Sequence, residues 1–101
     1  MTALIDIDEV RKTFGLTKGQ FAFYCGVHRN TMYARPQSPK IQEKARDLLR
    51  VLEAVKSLGV EDDVFWIMST FIPRHDYKTP FELIKEGKVD EVIRYIQKLT
   101  K

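Results

Sequence analysis

Residues 17–35 read TKGQFAFYCGVHRNTMYAR, and the reading of this stretch decides the fold. Thr17 is placed to cap a helix, and Gln20, three residues on, completes a capping box. Phe21, Ala22 and Cys25, joined beyond the turn by Val27, supply one apolar face. Gly26 follows Ala22 by four residues and admits a left-handed turn at little steric cost. Ala22 itself is small enough for a second helix to cross closely. That second helix is expected from about His28 to Ala34, with Pro36 and Pro39 closing the unit. Val27 and Met32 would pack it back onto the core. His28, Arg29, Asn30, Tyr33 and Ala34 are then left on the outward side, with Thr31 near the edge.

A helix-turn-helix of this kind can present one short helix to a DNA major groove. The charge pattern agrees, because no Asp or Glu stands between Glu9 and Glu43, while Arg11, Lys12, Lys18, Arg29, Arg35 and Lys40 do. Residues 1–58 carry a formal charge of +4 and residues 59–101 carry −1, so the basic character belongs to the first half. Arg29 and Asn30 have the geometry for guanine and adenine edges. Thr17, Lys18 and Gln20, together with the first amides of their helix, suit phosphates on one side. Arg35 and Lys40 suit them on the other. The candidate DNA-binding residues are thus Thr17, Lys18, Gln20, His28, Arg29, Asn30, Thr31, Tyr33 and Arg35, and the expected ligand is double-stranded operator DNA.

Outward from this stretch the chain reads as helical throughout. A first helix is expected from Asp6 or Asp8 to Gly15, its acids at the positive end and Arg11 and Lys12 toward the other. From Pro39 to Leu58 runs the longest helix, with Ile41, Ala45, Leu48, Leu52 and Val55 spaced as a seam. Leu49, Val51 and Leu58 widen that stripe; the seam is expected to be core of the same chain, with a dimer interface as the alternative. Asp62 and Asp63 open a short apolar helix, DVFWIMSTF, that stops before Pro73. PRHDYK reads as a loop. Thr79-Pro80 restarts a helix, with Glu82 near its positive end, and Gly87 ends it. A last helix from Val89 to Leu99 turns Val89, Val92, Ile93, Ile96 and Leu99 inward. Trp66, Phe65, Phe71 and Phe81 are expected in the core, while Tyr24 and Tyr33 are open between core and surface.

Several function classes are excluded or disfavoured. No apolar run approaches the roughly 18–20 residues that span a bilayer, so no membrane partner is expected. The opening MTALIDIDEV has acids where a signal peptide needs positive charge. With a single cysteine, the expected location is the cytoplasm. Cys25 falls on the inward side of its helix, where a thiol packs rather than attacks. His75 and Asp76 form a pair without a nearby nucleophile. Two histidines and one cysteine, scattered, suggest no metal site, and no glycine loop suits a nucleotide cofactor. The expectation is a protein without enzymatic activity, cofactor or metal.

The order WIMSTFIPRHDYKTPFELIKEGKVDEVIRYIQKL, from Trp66 to Leu99, resembles the C-terminal domain of the Xre/MbcA/ParS-type antitoxins. Trp66, Pro73, Thr79, Pro80, Leu83, Ile84, Gly87, Val92 and Ile96 stand in the places of its tryptophan, proline loop, T-P helix start, glycine and final helix. The upstream helix-turn-helix and the long joining helix match the family's layout. The resemblance implies a type II antitoxin that neutralises a cognate protein toxin, commonly a RES-type enzyme, and represses its own operon. It also implies a homodimer or larger assembly, and a toxin-binding surface at Trp66, Arg74, His75, Tyr77, Thr79 and Pro80. The expected fold is all-α: an N-terminal helix-turn-helix bundle joined by a long helix to a small C-terminal helical domain. The divisions are 1–38 (DNA-binding), 39–59 (connecting or dimerisation helix) and 60–101 (toxin-binding). The alternatives are a stand-alone dimeric regulator without a toxin, and a protein-interaction module whose helix-turn-helix no longer reads DNA.

Overall fold

A computed structural model describes residues 4–100. Among them the chain forms seven α-helices and one short 3-10 turn: α1 (Ile7–Thr13), α2 (Lys18–Cys25), α3 (Arg29–Ala34), α4 (Pro39–Lys56), α5 (Asp63–Ser69), the 3-10 turn Pro73–His75, α6 (Pro80–Lys85) and α7 (Val89–Leu99). No strand occurs in the described residues, so the all-α expectation holds. The chain divides into two compact units, Met1–Arg46 and Asp47–Lys101, with the boundary inside α4.

In the first unit each short helix has its own start signal. The Asp6 carboxylate accepts from the amides of Asp8 and Glu9 and caps α1. At α2 the Gln20 amide donates to the Thr17 hydroxyl at 3.1 Å and the Thr17 amide to Gln20 Oε1 at 2.8 Å, closing the capping box. Gly26 ends α2 in the left-handed region, at φ 73° and ψ 30°, and only Val27 and His28 separate it from the start of α3. The core consists of Ile7, Val10, Phe14, Leu16, Phe21, Ala22, Tyr24, Cys25, Met32, Ile41 and Ala45, all buried. Tyr24 belongs inside, its hydroxyl donating to the Lys44 carbonyl at 2.8 Å. Gln42 is a buried polar residue whose amide is satisfied: its Nε2 donates to the carbonyls of Ile5 and Pro36, and its Oε1 accepts from the Ile5 amide. A helix-period reading does not single it out.

The second unit is built around Leu48, Val51 and Val55 of α4, Ile67, Ile72, Leu83, Ile84, Val89, Val92 and Ile96, none more than 8% exposed. The α4 seam is therefore filled within this chain, although Leu52 is only half-buried and Leu49 lies at the surface. Asp62 caps α5, and Thr79 with Glu82 forms a second capping box at α6 behind Pro80. The PRHDYK segment is more ordered than a plain loop. Ile72 and Lys78 pair as an antiparallel bridge around the 3-10 turn, and Asp76 and Tyr77 both adopt positive φ, 58° and 60°.

Three core expectations are corrected. Phe65 and Phe71 are each 65% exposed and Leu99 is 48% exposed. Phe65 and Ile67 lie about 200° apart around α5, so the complete burial of Ile67 turns Phe65 to the solvent. Phe71 and Ile72 are neighbours in an extended segment, where successive side chains face opposite ways, and Ile72 takes the interior. Leu99 is the last residue of α7, with no further turn to cover it.

Two backbone positions yield opposite stability predictions. Gly26→Ala places a Cβ on a left-handed residue, although the nearest atom, Lys40 Nζ, stands 3.5 Å from it. It is expected to lower stability by about 1 kcal/mol through strain alone. Tyr77→Gly removes the same kind of strain from a ring that is 67% exposed, and is expected to leave stability unchanged or to raise it by up to about 1 kcal/mol. Urea denaturation midpoints measure both; a large loss in Tyr77→Gly would mean that the ring itself supports the fold.

Candidate nucleic-acid interface

Helix α3 is six residues long and gains its position from its contacts. Met32 is completely buried, and α2 packs against α3. With Met32 inward, His28, Arg29, Asn30, Thr31, Ala34 and Arg35 lie exposed. The imidazole of His28 caps the helix, its Nδ1 accepting from the Asn30 amide at 3.1 Å, so its Nε2 is the nitrogen left for a ligand. Arg29 and Arg35 stand at the two ends of α3, a helix with no Asp or Glu of its own.

Tyr33 differs from the expectation that it points outward. It is half-buried, and its hydroxyl donates to Asp8 Oδ1 at 3.1 Å. Arg11 donates to the same oxygen at 3.0 Å and to the Leu16 carbonyl at 2.9 Å, and Lys18 Nζ lies 5.1 Å from the Tyr33 ring centre. Tyr33 therefore fastens α3 to α1, and Arg11 is held by the fold instead of facing a ligand. The Arg11 hydrogen bond holds the Asp8 carboxyl below its usual value, against the opposing effect of desolvation. Burial, then Asp8, raises the Tyr33 hydroxyl.

Around α3 the remaining expected phosphate contacts are at the surface but differ in freedom. Thr17 and Gln20 bind each other in the capping box. Lys18 and Arg35 are exposed, while Lys40 Nζ reaches the Gly26 carbonyl at 3.4 Å, at the end of α2. Gly19, in the first turn of α2, faces open space, which leaves the helix N-terminus uncovered. Cys25 is fully buried, as its helical position implies, and burial pushes its thiol up to about 11.

The residues expected to face a toxin separate in the second unit. Thr79 and Pro80 are buried at the start of α6, so they hold the helix in place and leave the candidate surface. Trp66 is half-buried and lines a groove of about 500 Å³ with Val60, Glu61, Asp62, Phe65 and Thr70. Arg74 and His75 line a different cavity, of about 190 Å³, with Glu91, Arg94, Tyr95 and Lys98 of α7. Sequence reasoning does not single out these α7 residues, although their i, i+3, i+4, i+7 spacing marks one face of a helix. Tyr77 is exposed on strained backbone. His75 and Asp76 share no side-chain hydrogen bond among the described residues. No group of three or more metal-ligating side chains occurs among these residues, and none of their helices is long and apolar enough to cross a membrane.

The Asp8 tether has a definite pH dependence. A carboxyl held below its free value contributes stability above the unfolded value, about 3.9, and loses it as pH falls through the lower folded value. Titration of Asp8 by carboxyl-carbon NMR is expected to show a midpoint below the free value, moving back toward it in Arg11→Ala. An unchanged midpoint in that variant would remove Arg11 as the cause.

Compared with protein-family models, with curated proteins and with solved structures, the chain matches none.

Proposed function

We propose that this protein is a DNA-binding regulator of the antitoxin type, reading operator DNA with α3 and binding a protein toxin through its second unit. The observation that carries the DNA reading is the disposition of α3. Met32 is its one buried side chain, while His28, Arg29, Asn30 and Thr31 are exposed, in a window without acids. Arg29 and Asn30 then serve base edges in the major groove. Lys18, Arg35 and the exposed first turn of α2 serve phosphates, and Tyr33 positions the helix through Asp8. In a dimer, two such helices about 34 Å apart would address a palindrome.

Support for a protein partner comes from the second unit. Phe65, Phe71 and Tyr77 are exposed and Trp66 is half-exposed, and aromatic side chains of this kind serve as anchors once a partner covers them. The strained backbone under Tyr77 fits the same reading, because strain retained beneath an exposed ring points to a use for the ring. No catalytic step is assigned to this chain; its proposed action is by occupancy, of the operator and of the toxin.

The test uses DNA from the promoter of the chain's own operon and the product of the adjacent reading frame. Arg29→Ala and Asn30→Ala are each expected to weaken specific DNA binding by about tenfold or more while leaving co-purification with the toxin intact. Arg35→Ala should weaken binding to all sequences alike and reduce the slope of affinity against salt by about one unit. Phe65→Ser and Tyr77→Ala should impair toxin capture and spare DNA binding. Absence of sequence-specific binding at moderate salt would refute the DNA reading, and would favour a pure protein-interaction module. DNA binding with no toxin beside it would favour a stand-alone regulator.

A further inference from the structure

The cavity between the 3-10 turn and α7 has no part in the DNA reading, and a toxin surface reaching Arg74 and His75 leaves its α7 wall unexplained. Its walls are Arg74 and His75 on one side and Glu91, Arg94, Tyr95 and Lys98 on the other, all within the second unit. Of these, Glu91 has one carboxylate oxygen, Oε2, buried without a hydrogen-bond partner. Among the described residues Arg74, Arg94 and Lys98 form no ion pair. A buried carboxylate oxygen lacking a donor is destabilising, as are three like charges gathered with a single carboxylate. Both defects are at one place, and one ligand can relieve both.

The pattern restricts that ligand. A simple anion without a hydroxyl, such as sulfate or chloride, would neutralise the arginines and the lysine but would leave Glu91 Oε2 without a donor. A neutral or cationic group would satisfy Glu91 and leave the positive excess. The ligand must therefore carry an anionic group beside hydroxyl donors. Arg74, Arg94 and Lys98 supply three positive charges against the one of Glu91, an excess of two that matches a phosphomonoester of charge about −1.5 to −2. A zwitterionic amino acid, neutral overall, would leave the excess standing. The cavity of about 190 Å³ takes a pentose phosphate, and the Tyr95 ring in its wall is a surface on which a base can stack.

We propose that this cavity binds the ribose 5-phosphate part of a nucleotide, the phosphate on Arg74, Arg94 and Lys98 and the ribose hydroxyls on Glu91. The site is formed by α7 and the turn before α6, so it is independent of α3 and its success or failure is separate from that of DNA reading.

The experiment is a titration of the full chain, followed by amide NMR, with ribose 5-phosphate, AMP, inorganic phosphate and adenosine in turn. Ribose 5-phosphate and AMP are expected to shift the amides of Arg74, His75 and the α7 stripe saturably. Inorganic phosphate and adenosine should bind at least tenfold more weakly, since the first lacks the sugar hydroxyls and the second the charge. Glu91→Gln and the exposed-residue variant Lys98→Ala should each weaken ribose 5-phosphate by at least tenfold, the second serving even if the first folds poorly. A 5′-phosphorylated RNA trinucleotide separates sources: tighter binding than AMP assigns the site to an RNA end, weaker binding to free nucleotides. Inorganic phosphate binding as tightly as ribose 5-phosphate would overturn the proposal, as would unsaturated shifts at millimolar concentration or unchanged affinity in Lys98→Ala.

Discussion

The left-handed turn at Gly26 is the constraint on which the first unit depends. Helices α2 and α3 have eight and six residues, too few for either to be stable alone. They persist because the turn lets the chain reverse within two residues and bury Met32 while Phe21, Ala22 and Cys25 of α2 are buried as well. Once Met32 is inside, helical geometry turns Asn30 and Ala34 to the opposite side of α3 and Thr31 and Tyr33 to its flanks, while Arg29 stays exposed in the first turn. The polar, basic face is thus a consequence of packing. It is maintained from the other side by Tyr33, whose hydroxyl is held by Asp8 of α1.

Charge is arranged to keep that face positive. The acids of the first unit before α4 are confined to residues 6–9, where Asp6 caps α1 and Asp8 pairs with Arg11 and Lys12. In the second unit the cations are distributed differently. Lys78 and Lys88 are held by Glu86 and Arg50 by Asp90, whereas Arg74, Arg94 and Lys98 line one cavity with Glu91. One unit therefore offers a basic helix face and the other offers exposed aromatics and a small cationic cavity.

Local signals are legible in the sequence, and non-local ones are not. Thr17 with Gln20, and Thr79-Pro80 with Glu82, mark two helix starts because capping is chemistry between residues three apart. Glycines 26 and 87 stand where helices stop, and the helix boundaries lie close to those expected. The α4 seam is readable from its period, and the burial of Cys25 from its face. The rest requires knowing which face a long-range neighbour covers. Phe65 and Phe71 look like core until Ile67 and Ile72 are seen to occupy it. The role of Tyr33 depends on Asp8, 25 residues away, and that of Gln42 on Ile5, 37 residues away. Glu91 and Arg74 meet only after the 3-10 turn and α7 are in place.

The central claim, that α3 is a DNA-facing helix positioned by Gly26, Met32 and Tyr33, is tested most directly by amide NMR of the full chain mixed with its promoter DNA. The account predicts the largest shifts at Arg29, Asn30 and Thr31 and in the first turn of α2, with Met32 retaining its core environment and shifts that diminish as salt is raised. Shifts concentrated in α5 or α7, or none in α3 at saturation, would contradict it.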